Sequence, residues 1–374
     1  MIMATAAVPA YLGHDFRDCP PGHRFGLYGA FWSSPGWSLE KSKASDMVAQ
    51  FGSFPDSAEK LGDALRARQS ALAEGADVAV FAARSTAPFV TGTGIEHPLE
   101  NGFAFLNPYG MPYLPGASVK GVVRRAAQEL AGVIEGVQWG TETAWTNENE
   151  AVEALFGKEP PPGSEEVARG ALTFWDVYPA CKGLRVEIMN PHHGEYYLGK
   201  STPHDAGSPI TIFFLTVPEG STFSFHVQCD PRRIPEGLDW RSLLAEAFRH
   251  AFDWCGFGAK TAVGYGAMKR DLLAEERMEE ERRQAHLAAM SEEERQLASL
   301  RKTLETELEN GTLSANSRVA SDRVNLLRAA LEWESEDLRC QAADVIEETV
   351  HHLPWSKKAK PERREQTARL RQPK

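Results

Sequence analysis

The run Gly256-Phe257-Gly258-Ala259-Lys260-Thr261-Ala262-Val263-Gly264-Tyr265-Gly266 puts four glycines into eleven residues. Glycine accepts positive φ and close backbone approach, so successive amides in such a run can point into one concavity that suits a phosphate. Lys260 adds a point charge and Thr261 a hydroxyl. The run is not a nucleotide-binding P-loop. Ala259 stands where G-x-x-x-x-G-K-[ST] needs glycine, and the run joins a helix to a strand rather than a strand to a helix. The competing structural reading is a Gly-rich connection into an edge strand.

Working outward, Trp240, Leu244, Ala247 and Ala251 fall on one stripe and predict a helix over about 239–254. Ala267–Arg270 follows the run as a strand. Upstream, two segments, 210–217 and 222–228, flank Pro218-Glu219-Gly220, and this pattern predicts a β-hairpin. Phe223, Phe225 and Val227 alternate with polar residues, giving one buried face and one wet face. The same alternation favours core packing over base stacking for Phe213, Phe214, Phe223 and Phe225. Residues 170–178 read as a strand, and 190–209 as a polar excursion rich in His, Gly and Pro.

A second anion-friendly device lies at Tyr113-Leu114-Pro115-Gly116-Ala117-Ser118-Val119-Lys120-Gly121-Val122-Val123-Arg124. A Pro-Gly turn delivers the chain into an amphipathic helix striped by Val119, Val122, Val123, Ala126, Ala127 and Leu130. Free amides and the macrodipole at such a helix start favour an anion, and Lys120 and Arg124, four apart, strengthen this. Ser118 is a fair N-cap. A solvated basic face on an ordinary helix is the competing reading.

Val78–Ala83 reads as a buried strand, and the order strand, helix, strand, hairpin, helix, strand predicts an α+β fold. Its form is a ferredoxin-like (RRM-like) βαββαβ core over 77–270 with long insertions, including 190–209. Residues 1–76 form an irregular and helical segment packing on that core. Composition shifts at 271. Residues 271–310 hold no Gly or Pro and 18 charges, and Leu297, Leu300, Leu304 and Leu308 repeat at helical spacing, so 271–354 is a helical appendage. Residues 355–374, with eight basic and two acidic side chains, read as an exposed basic tail.

The chain has 374 residues, 42% of them hydrophobic, enough for real cores and against disorder throughout. Its five cysteines form no C-x-x-C pair, so neither a disulfide framework nor a structural metal is expected. No apolar run is long enough to span a membrane and no signal peptide is legible, so a cytoplasmic protein without cofactors is expected. The net charge is −11, with 23 basic and 30 acidic side chains in residues 1–270. That balance excludes a broadly basic nucleic-acid binder and leaves only local basic patches.

Together the two Gly-rich motifs resemble the RAMP superfamily of CRISPR systems. Gly94–Phe103, Phe174–Pro179, Met189–Tyr197 and Ser208-Pro209-Ile210 are similar to its sixth-subunit family in type III-B effector complexes. The resemblance covers about 78–270. It implies a non-catalytic structural subunit that caps the complex backbone near the 3′ part of the guide RNA. Its partners would be the guide, through it the target RNA, and other RAMP and small helical subunits. Gly116, Ser118, Lys120 and Arg124 would hold guide phosphates. So would Gly256, Gly258, Lys260, Thr261, Gly264, Tyr265 and Gly266. The 190–209 insertion would reach a neighbour or the duplex through Asn190, His192, His193 and Tyr196.

Two alternatives stay open. His192, His193 or His204 with Asp205 invite a metal-independent endoribonuclease, and His97 with Glu96 and Glu100 invites a similar one. Related RAMP proteins include nucleases that cut with a loop aspartate, whereas the 94–103 loop carries glutamates. The other alternative is a protein-only scaffold acting through the 271–350 helices.

Overall fold

The computed structural model describes residues 6–33, 36–39, 51–73, 77–99, 101–132, 145, 149–158, 168–190, 196, 199, 202, 211–353 and 367–371. The chain folds as two units, Met1–Glu279 and Glu280–Lys374.

In the first unit, the apolar run at 78 becomes β1 (Val78–Ser85), preceded by α1 (Asp56–Ala73). After β1 come α2 (Gly116–Leu130), α3 (Asn149–Phe156), β2 (Leu172–Phe174), β3 (Arg185–Met189) and β4 (Ile212–Thr216). Then follow β5 (Thr222–Cys229), α4 (Trp240–His250) and β6 (Met268–Arg270). Four strands form one antiparallel sheet in the order β6-β1-β5-β2, with Phe81 opposite Phe225 and Ala83 opposite Phe223. β3 and β4 pair antiparallel with each other in a separate two-stranded sheet.

The core of this unit is aromatic. Phe81 stacks on Phe248 at 4.3 Å between centroids, and Phe225 meets Phe248, Phe252 and Phe257 at 5.0–5.5 Å. Val119, Val123, Ala126 and Ala127 of α2 and Leu244, Ala247 and Phe248 of α4 bury their stripes in the same cluster. This is the burial that the helical periodicity demands. Phe214, Phe223 and Phe225 are buried and Phe213 is half-buried, so these rings are core side chains. Phe25, Phe31, Phe51 and Phe54 from the N-terminal segment join the cluster, and the Leu184 N–H donates to Gly52 O at 2.8 Å.

The hairpin expected around Pro218-Glu219-Gly220 does not form. Its two arms, β4 and β5, lie in different sheets because the end of β1 is hydrogen-bonded where the opposite arm would be. Gly220 N–H donates to Ser85 O at 2.8 Å, Ser85 N–H to Ser221 O at 2.9 Å, and Ser221 N–H to Ser85 Oγ at 3.1 Å. β4 finds its partner in β3, a strand marked in the sequence only by the short polar–apolar alternation Arg185-Val186-Glu187-Ile188.

The second unit has its own core. α5 (Leu272–Ala289) leads toward α6 (Glu292–Glu309), which Ser291 and Glu294 open with a reciprocal capping box. Leu297, Leu300 and Leu304 of α6 pack on Val319 and Leu326 of α7 (Arg318–Glu332) and on Val345 and Ile346 of α8 (Glu336–His352). The described end of the basic tail is not an exposed strand of charge. Thr367 and Leu370 are buried, and Arg371 pairs with Asp344 at 2.6 Å and Glu347 at 3.0 Å. Apolar burial of Leu370 and acids on α8 override the local charge pattern. Among the described residues no helix is long and apolar enough to cross a membrane.

Candidate nucleic-acid interface

α2 begins at Gly116, with Pro115 at the N-cap, three residues earlier than a Ser118 cap requires. Ser118 lies exposed inside the first turn, its N–H bonded to Pro115 O at 2.9 Å. The first amide of the helix is already used: Gly116 N–H donates to Asp176 Oδ1 at 2.7 Å. A carboxylate at a helix N-terminus is where the macrodipole favours it, and here the chain supplies its own. Gly116 is required by packing, since a Cβ there would sit 2.2 Å from Phe174 O.

One turn on, the helix carries cations. Burial lowers the Lys120 ammonium below its ordinary value, and Arg124 and Arg169 lower it further. Arg169, exposed just before β2, donates to Thr173 Oγ1 at 3.2 Å. Its carbonyl receives Arg233 Nη1 at 3.5 Å. Arg169 also lines a cleft of about 550 Å³ together with Thr173, Gln228, Arg232 and Arg233. Arg232 and Arg233 are both held by Asp230, at 2.9 and 3.3 Å, and the Arg232 hydrogen bond holds that carboxyl at about 2. Lys120 thus feels the like charges of Arg124, one turn on, and of Arg169, which lines the polar cleft. Sequence reading missed Arg169: it lies 45 positions from Arg124 in a segment without motif, and its sole local signal is its place before a strand.

The Gly-rich run leads from α4 and a π turn, Ala251–Cys255, into β6. Most of its backbone amides serve the fold. Phe257 N–H donates to Gly266 O at 3.0 Å, Ala259 N–H to Val90 O at 2.7 Å, and Gly266 N–H to Pro88 O at 2.9 Å. Those of Val263, Gly264 and Tyr265 close a tight turn on Lys260 and Thr261. Gly258 and Gly266 have positive φ, and a Cβ would meet Val90 O at 2.3 Å and Phe257 O at 1.8 Å. Close self-packing is therefore what demands glycine there. Gly256 also has positive φ, with a looser fit of 3.3 Å to Thr261. The outward chemistry of the loop is Thr261 and Gly264, both exposed, and Lys260. Lys260 adopts left-handed φ of 61°. Its Nζ reaches Met189 Sδ at 3.2 Å and lies 5.4 Å from the Phe214 ring centre. Tyr265 rests against Phe214, and burial raises its phenol.

The two motifs are therefore held by different neighbours. The start of α2 rests on 174–177, and the loop rests on 88–90 and the β3–β4 pair. The far end of α2 meets the end of α4, where Glu129 pairs with His250 at 2.8 Å.

Residues 83–269, half of the chain, match the profile of the RAMP superfamily. The chain belongs to that superfamily. It is also 29% identical over 225 residues to the CRISPR system Cmr subunit Cmr6 of Pyrococcus furiosus, taking in 48% of this chain. The matched stretch spans 64% of that relative's length, less than two thirds. Among solved structures, it is similar to the crystal structure of Cmr6 from Pyrococcus furiosus: 27% identity, TM-score 0.29, 52% of this chain and 98% of the other. It is also similar to a chain of a type III-B Cmr-beta assembly bound to cognate target RNA: 18% identity, TM-score 0.44, 62% and 71% covered.

The RAMP match contains the Lys120–Arg124–Arg169 cluster and the whole Gly-rich loop. Of the insertion residues, Asn190 and Tyr196 are exposed, whereas His192, His193, His204 and Asp205 lie outside the described residues. His97 of the RAMP region is a packing residue. Its ring stacks on Phe25 at 3.7 Å, Nε2 bonds Phe25 O at 2.9 Å, and Nδ1 accepts the Leu99 N–H at 3.2 Å. Those partners need the neutral ring, burial lowers its pKa, and neither nitrogen is left for acid–base work. Near the end of α2, burial pushes the Cys255 thiol up to about 11, which makes it a poor nucleophile.

Proposed function

We propose that this chain is a guide-RNA-holding, non-catalytic structural subunit of a type III-B CRISPR effector complex. It caps one end of the complex backbone near the 3′ part of the guide, beside other RAMP and small helical subunits, and meets target RNA through the guide. The observation that carries this reading is the Lys120–Arg124–Arg169 cluster within the RAMP match. Like charges held together raise the energy of the free protein, and a phosphate strand relieves that while releasing its own counterions. Contacts confined to phosphates accept any guide sequence, because base pairing supplies the specificity. Similarity to the Pyrococcus relative supports the choice of complex.

Guide contact at Gly116, Ser118, Lys120 and Arg124 is centred, on this reading, on the two cations. Contact at 256–266 is centred on Lys260, Thr261 and Gly264, since the other glycines serve packing. The ferredoxin-like reading of the core belongs here too. The succession β1, α2, β2, β5, α4, β6 supports an interrupted βαββαβ unit, with β3 and β4 as an inserted pair.

Photo-crosslinking of guide RNA in the assembled complex, followed by peptide mapping, tests the proposal. Nucleotides attached to peptides containing Lys120, Arg169 or Lys260 are expected. Crosslinks confined to other subunits would contradict it.

A further inference from the structure

Glu129, His250 and Cys255 stand apart from the RNA reading. They come from the end of α2, the last residue of α4 and the end of the π turn, with Glu129 and His250 121 positions apart in the chain. One donor atom from each, a carboxylate oxygen, an imidazole nitrogen and a thiol sulfur, lies within 4.8 Å of the other two. His250 is 6% exposed, and its Nε2 meets Glu129 Oε2 at 2.8 Å. The other Glu129 oxygen accepts Arg125 Nε at 2.7 Å, which orients the carboxylate with Oε2 toward the cluster.

The backbone explains how Cys255 joins them. In an α-helix, residues five apart point about 140° away from each other. Here Gly256 N–H bonds Ala251 O at 3.0 Å, an i→i+5 closure, and the wider turn brings position 255 back toward the face of His250. Gly256, at φ 68°, then ends the helix at once. Such π turns recur at functional sites. Tetrahedral zinc with bonds of about 2.0–2.3 Å sets its ligand atoms about 3.5 Å apart. Parting the Glu129–His250 pair and drawing in the sulfur, by about 1 Å each, reaches that spacing. A thiol beside an imidazole and one carboxylate fits zinc and does not fit magnesium or calcium, which take all-oxygen sets.

We propose that Glu129, His250 and Cys255 form a Zn²⁺ site that ties the end of α2 to the end of α4, with water in the fourth position. The site clamps the helix that carries Lys120 and Arg124 to the helix that leads into the Gly-rich loop, and it is independent of whether RNA binds there.

The test uses the full-length chain, stripped with chelator and titrated with Co²⁺ as an optical surrogate for zinc. The wild type is expected to develop a thiolate-to-cobalt charge-transfer band at one equivalent, bleached by Zn²⁺. Cys255→Ser, at a half-exposed position, is expected to keep its far-ultraviolet circular dichroism and to lose the band. Zn²⁺ is expected to raise the melting temperature of the wild type and not that of Cys255→Ser. Absence of the band in the wild type overturns the proposal. A band or a zinc-induced melting shift that persists in Cys255→Ser overturns it equally, because another cysteine would then be the ligand.

Discussion

The start of α2 and the Gly-rich loop look alike as sequence and differ as structure. Both combine glycine, a lysine and a run of potentially open amides. At α2 the first amide is taken by Asp176, and Lys120 further along feels the like charges of Arg124 and Arg169. In the loop most amides are taken by residues 88 and 90 and by the turn itself, and a single lysine leans on a methionine and a phenylalanine. Glycine marks where backbone comes close. The structure decides whether it comes close to a ligand or to the protein itself, and in both motifs much of it comes close to the protein itself.

The largest expected effect sharpens this contrast inside the loop. Gly266→Ala places a Cβ 1.8 Å from Phe257 O at φ 70°, and is expected to cost on the order of 3 kcal/mol or more in denaturant unfolding. Gly264→Ala meets nothing within 4 Å, so only its left-handed φ costs, about 1 kcal/mol. Equal losses would break the distinction between packing glycine and turn glycine.

A middling effect tests the cap of α2. Asp176→Ala is expected to lower stability by about 1 kcal/mol, since it removes the acceptor of the Gly116 amide. Ser118→Ala is expected to stay within about 0.5 kcal/mol. The reverse ranking would return Ser118 to the cap.

The smallest effect is a pH dependence at His97. His97 has a folded pKa below the ordinary 6.5, so the unfolded chain takes up its proton first as pH falls. Its contribution to stability is complete above 6.5 and declines as pH drops below that value. Amide exchange near Phe25 and Leu99 is therefore expected to rise on mild acidification, and a His97→Phe variant to lose that rise. Unchanged exchange in the wild type would contradict the neutral-ring assignment.

The parts of the fold that could be read in advance are those where local pattern and tertiary burial agree. The stripes on α2 and α4 and the first three leucines of α6 turn inward, although Leu308 stays exposed, and β5 buries Phe223, Phe225 and Val227, although His226 on its other face is buried as well. The failures are non-local. Pro218-Glu219-Gly220 is good turn chemistry, yet Ser85, more than 130 positions away, takes its hydrogen bonds. Arg185–Met189 carries only a four-residue polar–apolar alternation, and its pairing comes from β4, more than twenty positions on. At the candidate site, Lys120 and Arg124 are legible as an i,i+4 pair, whereas Arg169 and Asp176 become relevant only once β2 is laid beside α2. Cys255 reaches Glu129 and His250 only through a π turn, which no spacing rule in the sequence announces.

The central claim is that cations on the α2 flank and at Lys260 hold guide phosphates. Its most direct measure is the salt dependence of guide-RNA retention in the assembled complex, comparing wild type with Lys120→Ala, Arg169→Ala and Lys260→Ala combined. The account predicts weaker retention and a slope of log affinity against log salt that is shallower by about 0.7 for each phosphate no longer neutralised. Retention and slope equal to wild type would contradict it.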